Sequence, residues 1–138
     1  RWPKLKIILN GGLETLEEVR QRLSKLDGVM LGRAAYKTPW ILSIVDNLIY
    51  GEPEKNTTRK DVIDMMVDYA ATQKSLGVPV KSITRHMLGL FHAEPGAKAW
   101  RKRLAENARG LDAEPEIIRQ AYFAVSEAAS LKIQGEAA

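Results

Sequence analysis

The sequence predicts an α/β segment of two βα units followed by an all-α helical bundle. Two observations carry that reading. Two apolar runs, Leu5-Lys6-Ile7-Ile8-Leu9 and Val29-Met30-Leu31, each end in a glycine turn, Asn10-Gly11-Gly12 and Gly32-Arg33. After Pro39, by contrast, apolar residues recur at helical spacing only.

Leu5–Leu9 is rich in Leu and Ile and shows no alternation, the pattern of a strand covered on both faces. Leu13, Leu16, Val19, Leu23 and Leu26 then form the buried stripe of a helix. Glu14, Glu17 and Glu18 crowd its first turns, where the positive end of the helix dipole favours acids. Asp27-Gly28 breaks this helix before the second strand, Val29–Leu31. Ala34-Ala35 permits close packing in a short second helix, Pro39 interrupts, and Trp40–Ile49 continues as an apolar helix. Gly51–Thr58 is polar, holds Gly and Pro, and has no hydrophobic period, so it reads as a linker.

Helical stripes follow from about Arg59. The first holds Val62, Ile63, Met66, Val67, Tyr69 and Ala70 and ends at Gly77-Val78-Pro79. The second holds Ile83, Met87, Leu90 and Phe91 and closes at Glu94-Pro95-Gly96. Ala97, Trp100, Leu104 and Ala108 set the third, and Ile117, Ile118, Ala121, Tyr122 and Val125 the fourth. Four helices with short connections predict a compact bundle over residues 59–138, with a short frayed tail after Lys132.

Parallel strands with glycine turns at their ends suit a (β/α)8 barrel, whose last two βα loops commonly hold phosphate. Two strands cannot close a barrel, and their open edges would be a liability. The chain also opens on Arg1-Trp2-Pro3 without an initiator Met. The expectation is a C-terminal piece of a longer protein: residues 1–50 as an incomplete barrel, 51–58 as linker, and 59–138 as a helical domain.

No apolar run approaches the roughly 20 residues needed to span a bilayer. The chain has no Cys, which excludes a disulfide framework, a thiolate metal site and a cysteine nucleophile within it. Its two histidines, His86 and His92, are too few for a metal site and lie six apart, off a shared helix face. They read as packing or solvent-facing residues rather than catalytic bases. No membrane and no metal partner is expected, and the cytoplasm is the expected compartment.

The formal charge of +4 is unevenly spread. From Lys81 to Arg109 there are seven Lys/Arg against two acids, Glu94 and Glu106. Arg85, Lys98, Arg101 and Lys102 belong to that stretch, and the last three lie at i, i+3 and i+4 on one helix. Like charges at that spacing invite an anionic partner; a solvated helix face is the competing reading. Trp100 shares a helical stripe with Leu104, which favours the core over base stacking. Tyr36 and Trp40 suit either a flavin or base pocket or plain apolar packing.

The glycine turns suggest a phosphate grip. Backbone N–H groups at Gly11, Gly12, Gly32 and Arg33 can converge on a dianion, two helix N-termini adding favourable dipoles. Arg33 adds a forked charged donor. Simple turn chemistry is the competing reading. A dinucleotide fingerprint is disfavoured, because no G-x-G-x-x-G occurs.

Leu9-Asn10-Gly11-Gly12, Asp27–Tyr36 and Pro39-Trp40 resemble the end of the barrel of the flavin-dependent tRNA-dihydrouridine synthases. Ile83–His92, with Pro95–Lys102 and then Leu104, Glu106 and Asn107, resembles the helical domain of the A-type subfamily. The resemblance covers nearly the whole chain. The Asn-Gly-Gly and Gly-Arg turns are shared with other flavin barrels; Arg85-His86-Met87-Leu88-Gly89-Leu90-Phe91 and Pro95-Gly96-Ala97 through Trp100-Arg101 are more specific.

The resemblance implies an FMN-binding TIM barrel followed by a helical tRNA-binding domain, an oxidoreductase of tRNA processing. Such enzymes reduce the C5–C6 double bond of particular uridines, with NADPH as reductant, and a monomeric parent is expected. By the same resemblance Asn10, Gly11, Gly12, Gly32 and Arg33 hold the FMN phosphate, and the basic excess of the helical domain makes Arg85, Lys98, Arg101 and Lys102 the expected contacts to the tRNA backbone. Lys98 stands where related sequences often have Arg, which keeps the charge but loses the bidentate fork. The family's proton-donating Cys belongs to the earlier barrel, so this piece alone is expected to be inactive. Two other readings are a non-enzymatic helical RNA-binding module, which leaves the turns unexplained, and a different FMN barrel acting on a small metabolite, which does not need the basic helices.

Overall fold

The computed structural model describes residues 4–108, 110 and 112–136, with side chains through 128. The chain divides into two compact units, Arg1–Asn56 and Thr57–Ala138.

The first unit begins with β1 (Ile8–Asn10), α1 (Leu16–Leu23) and β2 (Gly28–Met30). The two strands pair in parallel, with Ile8 opposite Gly28, Leu9 opposite Val29 and Asn10 opposite Met30. Asp27 pins the register at the entry end: the Ile7 N–H donates to its carboxylate at 2.8 Å, and its own N–H donates to the Ile7 carbonyl oxygen at 3.1 Å. Leu13, Leu16 and Val19 are buried, and Leu9, Val29, Leu31, Ile41, Val45, Leu48 and Ile49 pack on them. α2 (Arg33–Lys37), a 3₁₀ helix (Pro39–Ile44) and α3 (Val45–Tyr50) complete the unit.

Three expectations for this unit are corrected. β1 lies later than Leu5–Leu9, and it is not covered on both faces: Leu5 and Ile8 are each 64% exposed and Ile7 is 58% exposed. The reason is pairing, since β1 has one strand neighbour and α1 covers only the side that carries Leu9. The apolar segment after Pro39 is 3₁₀ before it is α-helical, the ring at the first position setting a tight opening turn. α1 starts at Leu16 because Thr15 caps it: Thr15 Oγ1 accepts from the Glu18 N–H, and the Glu18 carboxylate accepts from the Thr15 N–H.

The second unit holds α4 (Arg59–Ser75), α5 (Val80–Thr84), α6 (Ala97–Asn107) and α7 (Ile117–Glu136). Its core gathers Ile63, Val67 and Ala70 of α4, Val80 and Ile83 of α5, Trp100 and Leu104 of α6, and Ile118, Ala121 and Val125 of α7. α6 and α7 pack closely because Gly96, just before α6, has no side chain: a Cβ there would sit 2.7 Å from the Val125 carbonyl oxygen. Lys60–Asp64–Arg119–Glu116 ion pairs tie α4 to α7. Helix α7 runs through Glu136, past Lys132, and the end of the expected tail lies outside the described residues.

The expected helix over Ile83–Phe91 ends at Thr84. Met87, Leu90 and Phe91 are buried as the stripe requires, but the backbone from Arg85 to Gly96 runs through successive tight turns. Met87 N–H donates to Thr84, Leu90 to Met87, His92 to Gly89 and Glu94 to Phe91, each three residues back rather than four.

Thr58 caps α4 through its hydroxyl, which accepts from the Asp61 N–H, while the Asp61 carboxylate accepts from the Thr58 N–H at 2.8 Å. That backbone bond, followed by the Thr58 hydroxyl, holds the Asp61 carboxyl below its ordinary range. A carboxyl whose pKa is lower in the folded state contributes stability above its unfolded pKa and loses it as pH falls through the folded value. Thr58→Ala removes the capping hydroxyl, whose loss at a helix N-cap costs about 1 kcal/mol at neutral pH. Thermal melting at neutral pH and again below the carboxylate range should show that gap shrinking in acid.

Candidate functional site

Parallel pairing brings the two glycine turns together. Asn10 and Met30 are the paired last residues of β1 and β2, so Gly11 and Leu31 leave the same end of adjacent strands. Strands so paired run about 5 Å apart. Gly11 and Gly12 have φ of 101° and 75°, in the left-handed region that L side chains rarely adopt. A Cβ on either would meet nothing within 4 Å. The turn therefore bends around open space, and close packing of the protein is not what demands its glycines.

Gly32 precedes α2, and no side chain caps the helix there. Its carbonyl oxygen accepts from the Tyr36 N–H at 3.1 Å, while Arg33, the first helical residue, is exposed. Among the described residues no turn, loop or cap hydrogen bond uses the N–H of Gly11, Gly12, Gly32 or Arg33. Asn10 is also exposed at the end of β1. These five residues thus follow or end paired strands at one sheet end, and their backbone N–H groups, amide and guanidinium are of the chemistry that a phosphate takes.

The N-terminus of α1 is capped from within the chain. The Glu18 carboxylate accepts from the Glu14 and Thr15 N–H groups at 2.8 and 3.1 Å, and these backbone bonds hold its carboxyl below the usual range. With Thr15 Oγ1 on the Glu18 N–H, the capping box uses the N–H groups of Glu14, Thr15 and Glu18. The signal, Thr15-x-x-Glu18, is legible in the sequence as a capping motif.

The basic candidates lie in the second unit, and all four are exposed. Lys98, Arg101 and Lys102 share one flank of α6, beside the face that buries Ala97, Trp100 and Leu104. Arg85 follows α5 immediately. Trp100 Nε1 donates to the Met87 carbonyl oxygen at 2.9 Å, which ties the backbone two residues past Arg85 to α6. Among the described residues no ion pair engages these four, whereas Arg59, Lys60, Lys74 and Arg119 each hold a carboxylate.

Trp100 is fully buried, its ring 5.0 Å from that of Phe91, so it serves the core and not a stacked base. Tyr36 is exposed and Trp40 half-buried. His86 and His92 are exposed. No group of three or more His, Cys, Asp or Glu able to hold a metal occurs among the described residues. No helix among them is long and apolar enough to cross a membrane. Sequence reasoning missed Arg59, whose partners Leu90 and Glu94 lie 31 and 35 residues away, beyond any local pattern.

The family model described as Dihydrouridine synthase matches residues 1–127. The chain is 42% identical over 124 residues to a tRNA-dihydrouridine(20/20a) synthase of Shewanella oneidensis, covering 90% of this chain and 37% of that protein. The protein of the same name from Vibrio cholerae is 43% identical over 120 residues, covering 87% of this chain and 37% of its own length. That of Escherichia coli is 40% identical over 126 residues, covering 91% and 36%. The chain thus spans little more than a third of the length of these relatives. With nine-tenths of its residues matched, the chain belongs to the dihydrouridine synthase family.

Proposed function

We propose that the chain is the C-terminal part of an FMN- and NADPH-dependent enzyme that reduces specific uridines of tRNA to dihydrouridine. Residues 1–50 are read as the last two βα units of its TIM barrel, 51–58 as a linker, and 59–138 as its tRNA-binding helical domain. The carrying observation is the pair of glycine turns side by side at the exit end of parallel β1 and β2. The exposed Leu5, Ile7 and Ile8 support the barrel reading, because further strands and helices would cover them.

FMN, when bound, would pass electrons from NADPH to the uridine C5–C6 double bond. Gly11, Gly12, Gly32 and Arg33 would hold its phosphate through backbone N–H groups, Asn10 through its amide and Arg33 also through its guanidinium. Arg85, Lys98, Arg101 and Lys102 would hold the tRNA backbone, setting which uridine reaches the flavin by orientation and not by reading bases. The chain has no Cys, so the family's proton donor lies in the rest of the enzyme, and this piece alone carries no reductase activity. The parent is read as a cytoplasmic monomer.

Lys98→Ala combined with Arg101→Ala in the parent enzyme tests the reading. Each lost phosphate contact should lower the salt slope of tRNA binding by about one unit, so the pair should flatten it by about two. Flavin content should not change. Unchanged tRNA affinity at low salt would show that this flank of α6 is only a solvated surface.

A further inference from the structure

Arg59, the first residue of α4, reaches out of its own helix to the turns between Arg85 and Gly96. Its Nε donates to the Leu90 carbonyl oxygen at 3.1 Å, and its Nη2 donates to the Glu94 carboxylate at 2.8 Å. The guanidinium lies 5.6 Å from the centre of the Phe91 ring. Its side chain is 23% exposed, against 43% for that of Glu94.

The turns it holds are irregular and locally strained. Ala93 has φ of 62°, the one non-glycine in the left-handed region among the described residues. Such a residue persists where its surroundings over-determine it. Here three helices do so: Arg59 from α4, Trp100 Nε1 on the Met87 carbonyl from α6, and Val125 of α7 packed on Gly96. Of the three, Arg59 alone brings charge, and its partner Glu94 is one of only two acids between Lys81 and Arg109. An uncompensated carboxylate in that stretch would oppose a polyanion.

We propose that Arg59 is a positioning residue for tRNA binding: it fixes the turns that follow Arg85 and cancels the charge of Glu94 that would otherwise repel the RNA backbone. This rests on the tRNA-binding reading above. It assigns a role to a cation that acts through Leu90 and Glu94, on which its Nε and Nη2 are held, and not by meeting phosphate.

The test uses tRNA kinetics of the parent enzyme. Arg59→Ala should raise KM for tRNA by about three- to fivefold, the scale of one partly exposed charge pair. The kcat at saturating tRNA and the flavin content should stay unchanged. Arg59→Ala with Glu94→Gln should recover most of the loss, because the uncompensated acid is gone; a purely structural role would show no such recovery. Arg59→Lys keeps the charge but loses the fork that also reaches Leu90, and should fall between the parent and Arg59→Ala.

Failure of Glu94→Gln to rescue, or an Arg59→Lys variant as impaired as Arg59→Ala, overturns the proposal. An unchanged KM in Arg59→Ala beside a raised KM in Lys98→Ala/Arg101→Ala overturns it too and leaves the tRNA reading standing. Unchanged KM in both overturns both.

Discussion

Gly12→Val in the parent enzyme should strip most of its flavin while leaving tRNA binding intact. Gly12 has φ of 75°, and a β-branched residue there carries backbone strain of about 1–3 kcal/mol. The added side chain would meet no protein atom near its Cβ, so the fold is not blocked; on the proposed reading, the space it enters is where the phosphate would sit. The valine would also turn the Gly11 and Gly12 N–H groups away from a common point. A loss of 1–3 kcal/mol in the bound state corresponds to about five- to 150-fold weaker retention. Flavin absorbance per polypeptide after gel filtration measures this directly. Stoichiometric flavin in the variant would place the phosphate elsewhere.

Trp100→Ala should be the most destabilising single change in the second unit. Trp100 is fully buried, touches the Phe91 ring and donates to the Met87 carbonyl oxygen. Its removal leaves a large cavity and an acceptor without its donor, which together cost about 3–5 kcal/mol. Because that bond ties the Arg85 turns to α6, tRNA affinity should fall with stability. Trp100→Phe retains most of the volume and should lose less. Urea denaturation followed by the helical signal gives both values; a midpoint unmoved by Trp100→Ala would contradict the packing.

Much of the architecture was legible because period and punctuation are local. Leu16 and Val19, then Trp100, Leu104 and Ala108, then Ile118, Ala121 and Val125 occupy the buried faces that their spacing predicts. The Arg85–Gly96 turns were not legible, for a physical reason. Ile83, Met87, Leu90 and Phe91 are all buried although the turns close three residues back, so burial at this spacing does not by itself tell such turns from an α-helix.

At the candidate site the glycines were readable, because a left-handed turn after a strand demands them. The closure of the α1 terminus was written in Thr15 and Glu18, yet acids in a first turn also satisfy a dipole, and only geometry shows which donors they consume. The exposure of Ile7 and Ile8 has no sequence signal at all. An apolar strand reads as covered whether or not its cover belongs to the same chain.

A structure of the parent enzyme with flavin bound tests the central claim most directly. The account predicts phosphate oxygens within about 2.7–3.2 Å of the backbone nitrogens of the Gly11-Gly12 and Gly32-Arg33 turns, with the Arg33 guanidinium beside them. A flavin phosphate held by other loops, with the space above Gly11 and Gly12 left to solvent, would contradict it.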